Sequence, residues 1–214
     1  MQISWSKTTI PWMMAGARVA LGPLVAAGAR CNWSGTALAA MVAAALLSDI
    51  YDGVLARRWR CDTAALRLFD SMADTIFYLC TGIALWIAHP EAMRPIAPII
   101  VALVAAELLR FGFDFVKFGK PGSYHSWMAK SWGLVLAATV MLTFATRFGH
   151  AWLGLALLMG IACNLENLAM SLILSQWTRD VLTLRMAWQI RQARKANPGP
   201  RTHPSGSLEL RMPS

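Results

Sequence analysis

Six long apolar runs dominate this sequence, and each approaches the length that an α-helix needs to cross a lipid bilayer. That length is about 20 residues, because the hydrocarbon core is about 30 Å thick and a helix rises about 1.5 Å per residue. The chain is 57% hydrophobic and only 14% charged. Charge, Gly or Pro divides the runs into roughly 11–30, 34–57, 68–89, 93–116, 128–146 and 151–176. The sequence therefore predicts an all-α fold, an integral membrane bundle of six transmembrane helices within residues 1–178.

The distribution of basic residues predicts how this bundle is oriented. Six spans place both termini on one side, and that side would hold most of the twenty Lys and Arg residues. Since basic residues collect at the cytoplasmic face, we expect cytoplasmic N- and C-termini, in a bacterial inner membrane. For residues 179–214 the sequence predicts a basic surface helix followed by a disordered tail. Topology and anionic lipids then explain the net charge of +9, and no nucleic-acid partner is expected.

An acidic segment, DIYDGVLARRWRCDTAALRLFDSMAD at residues 49–74, joins the second and third spans. Asp49 and Asp52 are spaced i, i+3, and Asp70 and Asp74 are spaced i, i+4, so each pair lies on one helix face. A short loop makes the two helices antiparallel neighbours. We therefore expect four carboxylates around one small volume just inside the membrane boundary.

Four carboxylates so close together in a region of low dielectric repel one another unless a cation lies among them. Oxygen-only ligands favour a hard dication, Mg²⁺ or Mn²⁺, and four carboxylates are enough for two ions. Paired dications suit phosphoryl transfer, because they stabilise both the attacking and the leaving oxygen. The segment thus predicts a metal-dependent site for phosphate chemistry.

The complete spacing resembles the signature of the CDP-alcohol phosphatidyltransferase family, D-x-x-D-G-x-x-A-R, eight residues, then G-x-x-x-D-x-x-x-D. Seven of the eight fixed positions match, namely Asp49, Asp52, Gly53, Ala56, Arg57, Asp70 and Asp74. The exception is Leu66, which stands where the family has a Gly associated with close packing against the donor nucleotide. A leucine there either points away from the pocket or narrows it.

This resemblance implies a phosphatidyltransferase of phospholipid biosynthesis. It would move the phosphatidyl group from CDP-diacylglycerol to the hydroxyl of a small polar alcohol, such as glycerol 3-phosphate, and release CMP. Asp49, Asp52, Asp70 and Asp74 would be ligands of two Mg²⁺ or Mn²⁺ ions, with Asp74 also the general base. Donor contacts would come from Gly53, Ala56 and Arg57. A homodimer is common among relatives, and membrane lipids are further expected partners.

The acceptor site is less tightly specified. Basic and polar residues gather around the loop between the fourth and fifth spans, where the family places acceptor contacts, and they are Arg110, Lys117, Lys120, Lys130 and His125. They are candidates for binding a phosphorylated alcohol. Topology and contact with lipid headgroups would explain the same charges equally well.

Charges within the spans need partners, because an unpaired charge in a bilayer is costly. Arg18 and Glu166 are expected either to form a buried pair or to act separately at the donor site, and Glu107 is expected to pair with Arg110.

Two other classes of protein remain open. Intramembrane carboxylates also serve ion- or proton-coupled transporters, and an inactive membrane scaffold of the same fold would keep the same spans.

Overall fold

The computed structural model describes residues 9–59, 61, 63–120, 122, 124, 126–146, 150–178 and 181–196. Throughout these residues the regular structure is helical, with no strand. The α-helices are α1 (Thr9–Arg30), α2 (Gly35–Arg58), α3 (Ala64–Ala88), α4 (Pro90–Met93), α5 (Ala97–Phe118), α6 (Trp127–Ala145), α7 (His150–Ile173) and α8 (Leu184–Ala196). A 3-10 turn, Arg94–Ile96, joins α4 to α5.

Six helical segments are long and apolar enough to cross a membrane, which confirms the all-α membrane bundle. They are Thr9–Arg30, Gly35–Arg58, Ala65–Ala88, Pro90–Phe118, Trp127–Ala145 and Ala151–Ile173. The fourth is longer than predicted because α4 and the 3-10 turn extend α5 backwards to Pro90. Helix α8 lies within the segment predicted to form a basic surface helix, and its place on the membrane surface stays a prediction. The predicted disordered segment from 197 onwards lies outside the described residues.

The helices pack as two groups of three. Helix α1 packs against α2 and most extensively against α3, while α7 packs against α5 and α6, and contacts between α2 and α6 join the groups. Small residues allow close approach. A Cβ atom added at Gly22 would lie 3.1 Å from the Cα atom of Phe77, and one at Gly160 would lie 2.7 Å from the Trp132 ring.

Polar caps determine where the helices at one end of the bundle begin. The Thr63 hydroxyl accepts a hydrogen bond from the backbone N–H of Leu66 at the start of α3, and the Ser126 hydroxyl accepts one from Ala129 at the start of α6. Gly119, with φ of +70°, ends α5 in the left-handed conformation that favours glycine. We call this end, where α2, α5 and α7 finish and α1, α3 and α6 start, the aspartate end.

Candidate active site

The four aspartates converge as the helical spacing predicts. Helix α2 contributes Asp49 and Asp52, and α3 contributes Asp70 and Asp74; together we call them the aspartate cluster. Arg18 of α1 lies among them. Its guanidinium nitrogens lie 3.0 Å from Asp49 Oδ1, 2.9 Å from Asp52 Oδ2 and 3.1 Å from Asp74 Oδ1, and they also contact Asp70 Oδ1. One arginine thus contacts all four carboxylates.

Burial differs sharply within this group. The Arg18 side chain is 1% exposed and that of Asp52 is 5% exposed, whereas Asp49, Asp70 and Asp74 are between 34% and 40% exposed. Asp49 and Asp70 accept hydrogen bonds from the guanidinium. Asp52 Oδ2 is fully buried and pairs with Arg18 by charge, and among the described residues it has no hydrogen-bond partner. The arginine therefore closes the inner side of the cluster, and three carboxylates face outward.

The predicted pair between Arg18 and Glu166 is wrong. Arg18 is fully engaged by the aspartate cluster, whose four negative charges attract the guanidinium more strongly than one carboxylate on α7 would. Glu166 is half-buried, and its Oε2 atom has no hydrogen-bond partner in the part of the chain that the structure describes. The expected pair between Glu107 and Arg110 is confirmed, with 3.7 Å between Glu107 Oε1 and Arg110 Nη2.

The residues of the cluster fit a divalent metal ion. Asp49, Asp70 and Asp74 each offer a carboxylate oxygen, and these three oxygens lie within 4.8 Å of one another. The buried Oδ2 atom of Asp52 is a fourth oxygen without a hydrogen-bond donor. Carboxylate oxygens are the donors that Mg²⁺ and Mn²⁺ prefer.

A cavity of about 420 Å³ opens beside the cluster at the aspartate end. This volume lies within the range typical of small-molecule sites. Its walls come from five different parts of the chain and consist of Pro11, Asp52, Gly53, Ala56, Arg57, Leu66, Arg67, Asp70, Lys130 and Leu182. All three predicted donor contacts therefore share one cavity with two of the predicted metal ligands.

The donor-side wall is shallow for a local reason. A Cβ atom added at Gly53 would lie 3.6 and 3.8 Å from the two terminal nitrogens of Arg57, in van der Waals contact with the guanidinium, so the absent side chain leaves room for an atom beside that group. Ala56 is buried and lies one turn from Asp52 on the same helix. The i, i+4 spacing of Gly53 and Arg57 places the planar guanidinium of Arg57 over an accessible stretch of the α2 backbone. A guanidinium in this position suits a phosphate oxygen, because it can donate two hydrogen bonds.

Leu66 forms part of this cavity wall. Its side chain is only 5% exposed and it occupies the first turn of α3, just before Asp70. Since Leu66 lines the cavity, the structure favours the possibility that a leucine at this position narrows the pocket over the one in which it points away.

The predicted acceptor residues fall into different environments. Lys130 lines the cavity, with its Nζ atom 5.0 Å from the centre of the Trp127 ring. Lys117 instead donates hydrogen bonds to the carbonyl oxygens of Ser171 and Leu172 at the end of α7. The Nζ atom of Lys120 lies 3.8 Å from the centre of the Trp177 ring.

Arg110 donates from Nε to Asn164 Oδ1 at 2.9 Å and from Nη1 to Asp114 Oδ2 at 3.3 Å. The structure therefore brings Lys130 to the cavity and engages Arg110, like Lys117 and Lys120, in contacts elsewhere. The fifth candidate, His125, lies outside the described residues.

Asp114 is a buried acid that the sequence reasoning missed. It is 0% exposed, and its carboxylate accepts hydrogen bonds from Arg110, from the Ser171 hydroxyl and from the backbone N–H of Gly122. Burial raises the pKa of Tyr124, and its hydroxyl lies 2.9 Å from the Ser171 hydroxyl, which itself donates to Asp114. We call Arg110, Asp114, Gly122, Tyr124, Asn164 and Ser171 the Asp114 network. The i, i+4 spacing of Arg110 and Asp114 was the available signal.

Comparison with known proteins gives one match. The family model described as CDP-alcohol phosphatidyltransferase matches residues 8–184. That range includes all six apolar spans, the aspartate cluster and the whole lining of the cavity. No curated protein and no solved structure matches the chain.

Proposed function

The chain belongs to the CDP-alcohol phosphatidyltransferase family, and we propose that it transfers the phosphatidyl group of CDP-diacylglycerol to a small polar alcohol at the cytoplasmic membrane surface. The enzyme class and the transfer of a phosphatidyl group follow from the family. The diacylglycerol donor, the alcohol acceptor, the dependence on a metal and the cytoplasmic orientation are the parts of the proposal that go further.

One observation carries the proposal more than any other. Four aspartates from two helices converge around a single point, and a cavity with basic and glycine-lined walls opens beside that point. A donor with a diphosphate needs both features, because its charge must be neutralised while its nucleotide and lipid parts extend in different directions. The position of this site at the end of six membrane spans suits a substrate with one lipid part and one soluble part.

The chemistry is an in-line displacement at the lipid-side phosphorus. The acceptor hydroxyl oxygen forms a new bond to that phosphorus, and the bond from phosphorus to the bridging oxygen of the diphosphate breaks. CMP leaves with the bonding electron pair. The hydroxyl proton passes to Asp74, which is 36% exposed and faces outward from the cluster.

Different residues have different tasks in this scheme. Asp49, Asp52, Asp70 and Asp74 would hold one or two Mg²⁺ or Mn²⁺ ions, which when bound neutralise the diphosphate and stabilise the leaving oxygen. Arg57 and the open backbone at Gly53 would bind the nucleotide phosphate, and Ala56 leaves room for the nucleotide itself. These groups hold the reacting atoms in line, which contributes much of the rate.

Among the acceptor candidates, Lys130 has the best position. It lines the same cavity as Asp70 and so lies near any alcohol that reaches the reacting phosphorus. A lysine in this position favours an acceptor with its own phosphate, such as glycerol 3-phosphate. The resemblance to the family also favours a homodimer.

An assay with labelled substrate tests the proposal. The purified full-length chain in lipid vesicles is given CDP-diacylglycerol labelled in its lipid phosphate, together with Mg²⁺ or Mn²⁺. Glycerol 3-phosphate, serine, inositol, inositol phosphate and choline are supplied one at a time. We expect the label to move into a new phospholipid with one of them, and CMP to appear in equal amount.

Three results would contradict the proposal. Label that stays in CDP-diacylglycerol with every alcohol would favour an inactive scaffold. Ion or proton uptake into vesicles without transfer of label would favour a transporter. Transfer that continues unchanged in EDTA would reject the dependence on a metal while leaving the enzyme class intact.

A further inference from the structure

Arg18 carries a charge that the proposed reaction does not use. It lies nine residues into α1, is 1% exposed, and contacts four carboxylates from two other helices. Its planar fork of donors suits several carboxylates at once better than the single ammonium of a lysine would. A buried arginine of this kind sets the net charge of the site.

The charge balance has a consequence for metal binding. Four ionised aspartates and Arg18 together carry a net charge of −3. One bound dication would bring that charge to −1, and a second would make it positive. Arg57, Arg67 and Lys130 line the adjoining cavity and add further positive potential. A second dication is therefore disfavoured until an anion enters with it.

We propose that Arg18 is a positioning residue that acts as a permanent counter-ion of the aspartate cluster, so that the donor-free enzyme binds one dication and takes up the second only with a diphosphate. The proposal rests on the metal dependence in the proposed function. It follows from geometry, because Arg18 closes the buried side of the cluster and leaves Asp49, Asp70 and Asp74 as the outward-facing oxygens.

The competing explanation is that Arg18 only links α1 to α2 and α3. Under that explanation, replacing it would lower stability without changing how many dications bind. The counter-ion role predicts a different result, because removal of Arg18 restores a net charge of −4 and two dications then balance the cluster without any donor. The number of bound ions therefore distinguishes the two roles.

The experiment counts bound Mn²⁺ on the full-length protein in detergent. Free Mn²⁺ is followed by its electron paramagnetic resonance signal during titration, with CDP as the diphosphate probe and cytidine as the control ligand. We expect the wild-type protein to bind one Mn²⁺ alone or with cytidine, and two with CDP. We expect Arg18→Gln to bind two Mn²⁺ in the absence of CDP.

A matched control and a second measurement keep the test decisive. Arg94→Gln removes an exposed arginine that pairs with Glu91 at the opposite end of the bundle, and it should bind Mn²⁺ as the wild-type protein does. In EDTA, Arg18→Gln should unfold at a lower temperature than wild type. Mn²⁺ should raise the unfolding temperature of Arg18→Gln by more than it raises that of wild type. If Arg18→Gln cannot be purified, the wild-type counts still test the charge balance, because two Mn²⁺ ions bound without CDP would overturn it.

Several outcomes would overturn the counter-ion role. Two Mn²⁺ ions on the wild-type protein without CDP would do so, as would a single ion in the presence of CDP or a single ion on Arg18→Gln. Failure of the proposed function is recognisable separately, because a wild-type protein that binds no Mn²⁺ with or without CDP would contradict the metal site itself.

Discussion

The aspartate cluster and the Asp114 network are two groups of charged residues that differ in charge balance and in exposure. In the Asp114 network one arginine faces one fully buried aspartate, and hydrogen bonds from Gly122 and Ser171 complete the carboxylate. In the aspartate cluster one arginine faces four carboxylates, three of which are more than one-third exposed. The first group is balanced and closed, and the second has surplus charge and opens towards a cavity.

The difference suits a functional role for the aspartate cluster, as we propose, and a structural role for the Asp114 network. A buried carboxylate with all its hydrogen bonds formed stabilises one arrangement of helices and loop and has no capacity left for a ligand. Surplus negative charge at a membrane boundary is costly, and that cost is recovered only when a cation binds. Substitutions in the two groups should therefore affect different measurements.

The largest effect is expected at Asp74. Asp74→Asn should lower the rate of CMP release by about 10²–10⁴-fold, because an amide cannot take the proton from the hydroxyl of the alcohol. Binding of CDP should be retained. The rate is measured per folded protein from labelled CDP-diacylglycerol. Glu91→Gln, which removes an exposed carboxylate that pairs with Arg94, is the control and should keep the wild-type rate. CMP release at the wild-type rate by Asp74→Asn would reject its role as the base.

The next largest effect concerns stability. Asp114→Asn should lower the free energy of unfolding by about 3–5 kcal/mol, because Arg110, which is only 15% exposed, loses its fully buried counter-charge. Thermal unfolding in detergent measures this. Glu107→Gln, which removes the half-exposed partner of the same arginine, should change stability by less than about 1 kcal/mol.

The aspartate cluster should respond in the opposite direction. Asp49→Asn in EDTA should leave stability unchanged or raise it, because one of four repelling charges is removed. A large loss of stability in Asp49→Asn, equal to that of Asp114→Asn, would mean that the two groups do not differ in the way described.

The acidic segment was predictable because its geometry is local. Spacings of i, i+3 and i, i+4 on two helices joined by a short loop leave little freedom, and the aspartates converge accordingly. The six spans were predictable for a similar reason, since length and hydropathy decide them. Their ends depend on caps such as Thr63 and Ser126, so the boundaries moved by a few residues.

The partner of Arg18 was not predictable by the same reasoning. The predicted pair with Glu166 rested only on the need to neutralise each buried charge. Which helices lie next to α1 depends instead on close packing, such as that between Gly22 and the helix that contains Phe77. Depth was a usable signal, because Arg18 lies about as far from the aspartate end as Asp49 and Asp74 do. Spacing along the chain likewise does not reveal that Lys117 donates to a backbone carbonyl or that Lys120 contacts an aromatic ring.

A smaller effect is expected at Leu66. Because Leu66 lines the cavity, Leu66→Ala should admit a larger nucleobase and lower the preference for a CDP-linked over an ADP-linked donor by about 10-fold. The ratio of kcat/KM for the two donors measures this and does not depend on the folded fraction. Leu68→Ala, an exposed leucine on the same helix, is the control. An unchanged ratio in Leu66→Ala would show that this side chain does not select the donor.

The smallest effect is expected for the exposed lysines. Lys130→Met should raise KM for a phosphorylated acceptor by about threefold to fivefold, since an exposed ion pair contributes up to about 1 kcal/mol. Lys120→Met should leave KM unchanged, because Lys120 contacts Trp177 and does not line the cavity. Equal effects of the two substitutions would indicate that their charge acts on the membrane surface and not on the acceptor.

Anomalous scattering from crystals of the full-length protein grown with Mn²⁺ and CDP would test the aspartate cluster most directly. We expect Mn²⁺ within coordination distance of Asp49, Asp70 and Asp74, with the CDP diphosphate beside it in the cavity bounded by Gly53 and Arg57. Crystals in which CDP is bound but the carboxylates contact only Arg18, with no Mn²⁺ among them, would contradict the proposal that surplus charge here exists to bind a dication.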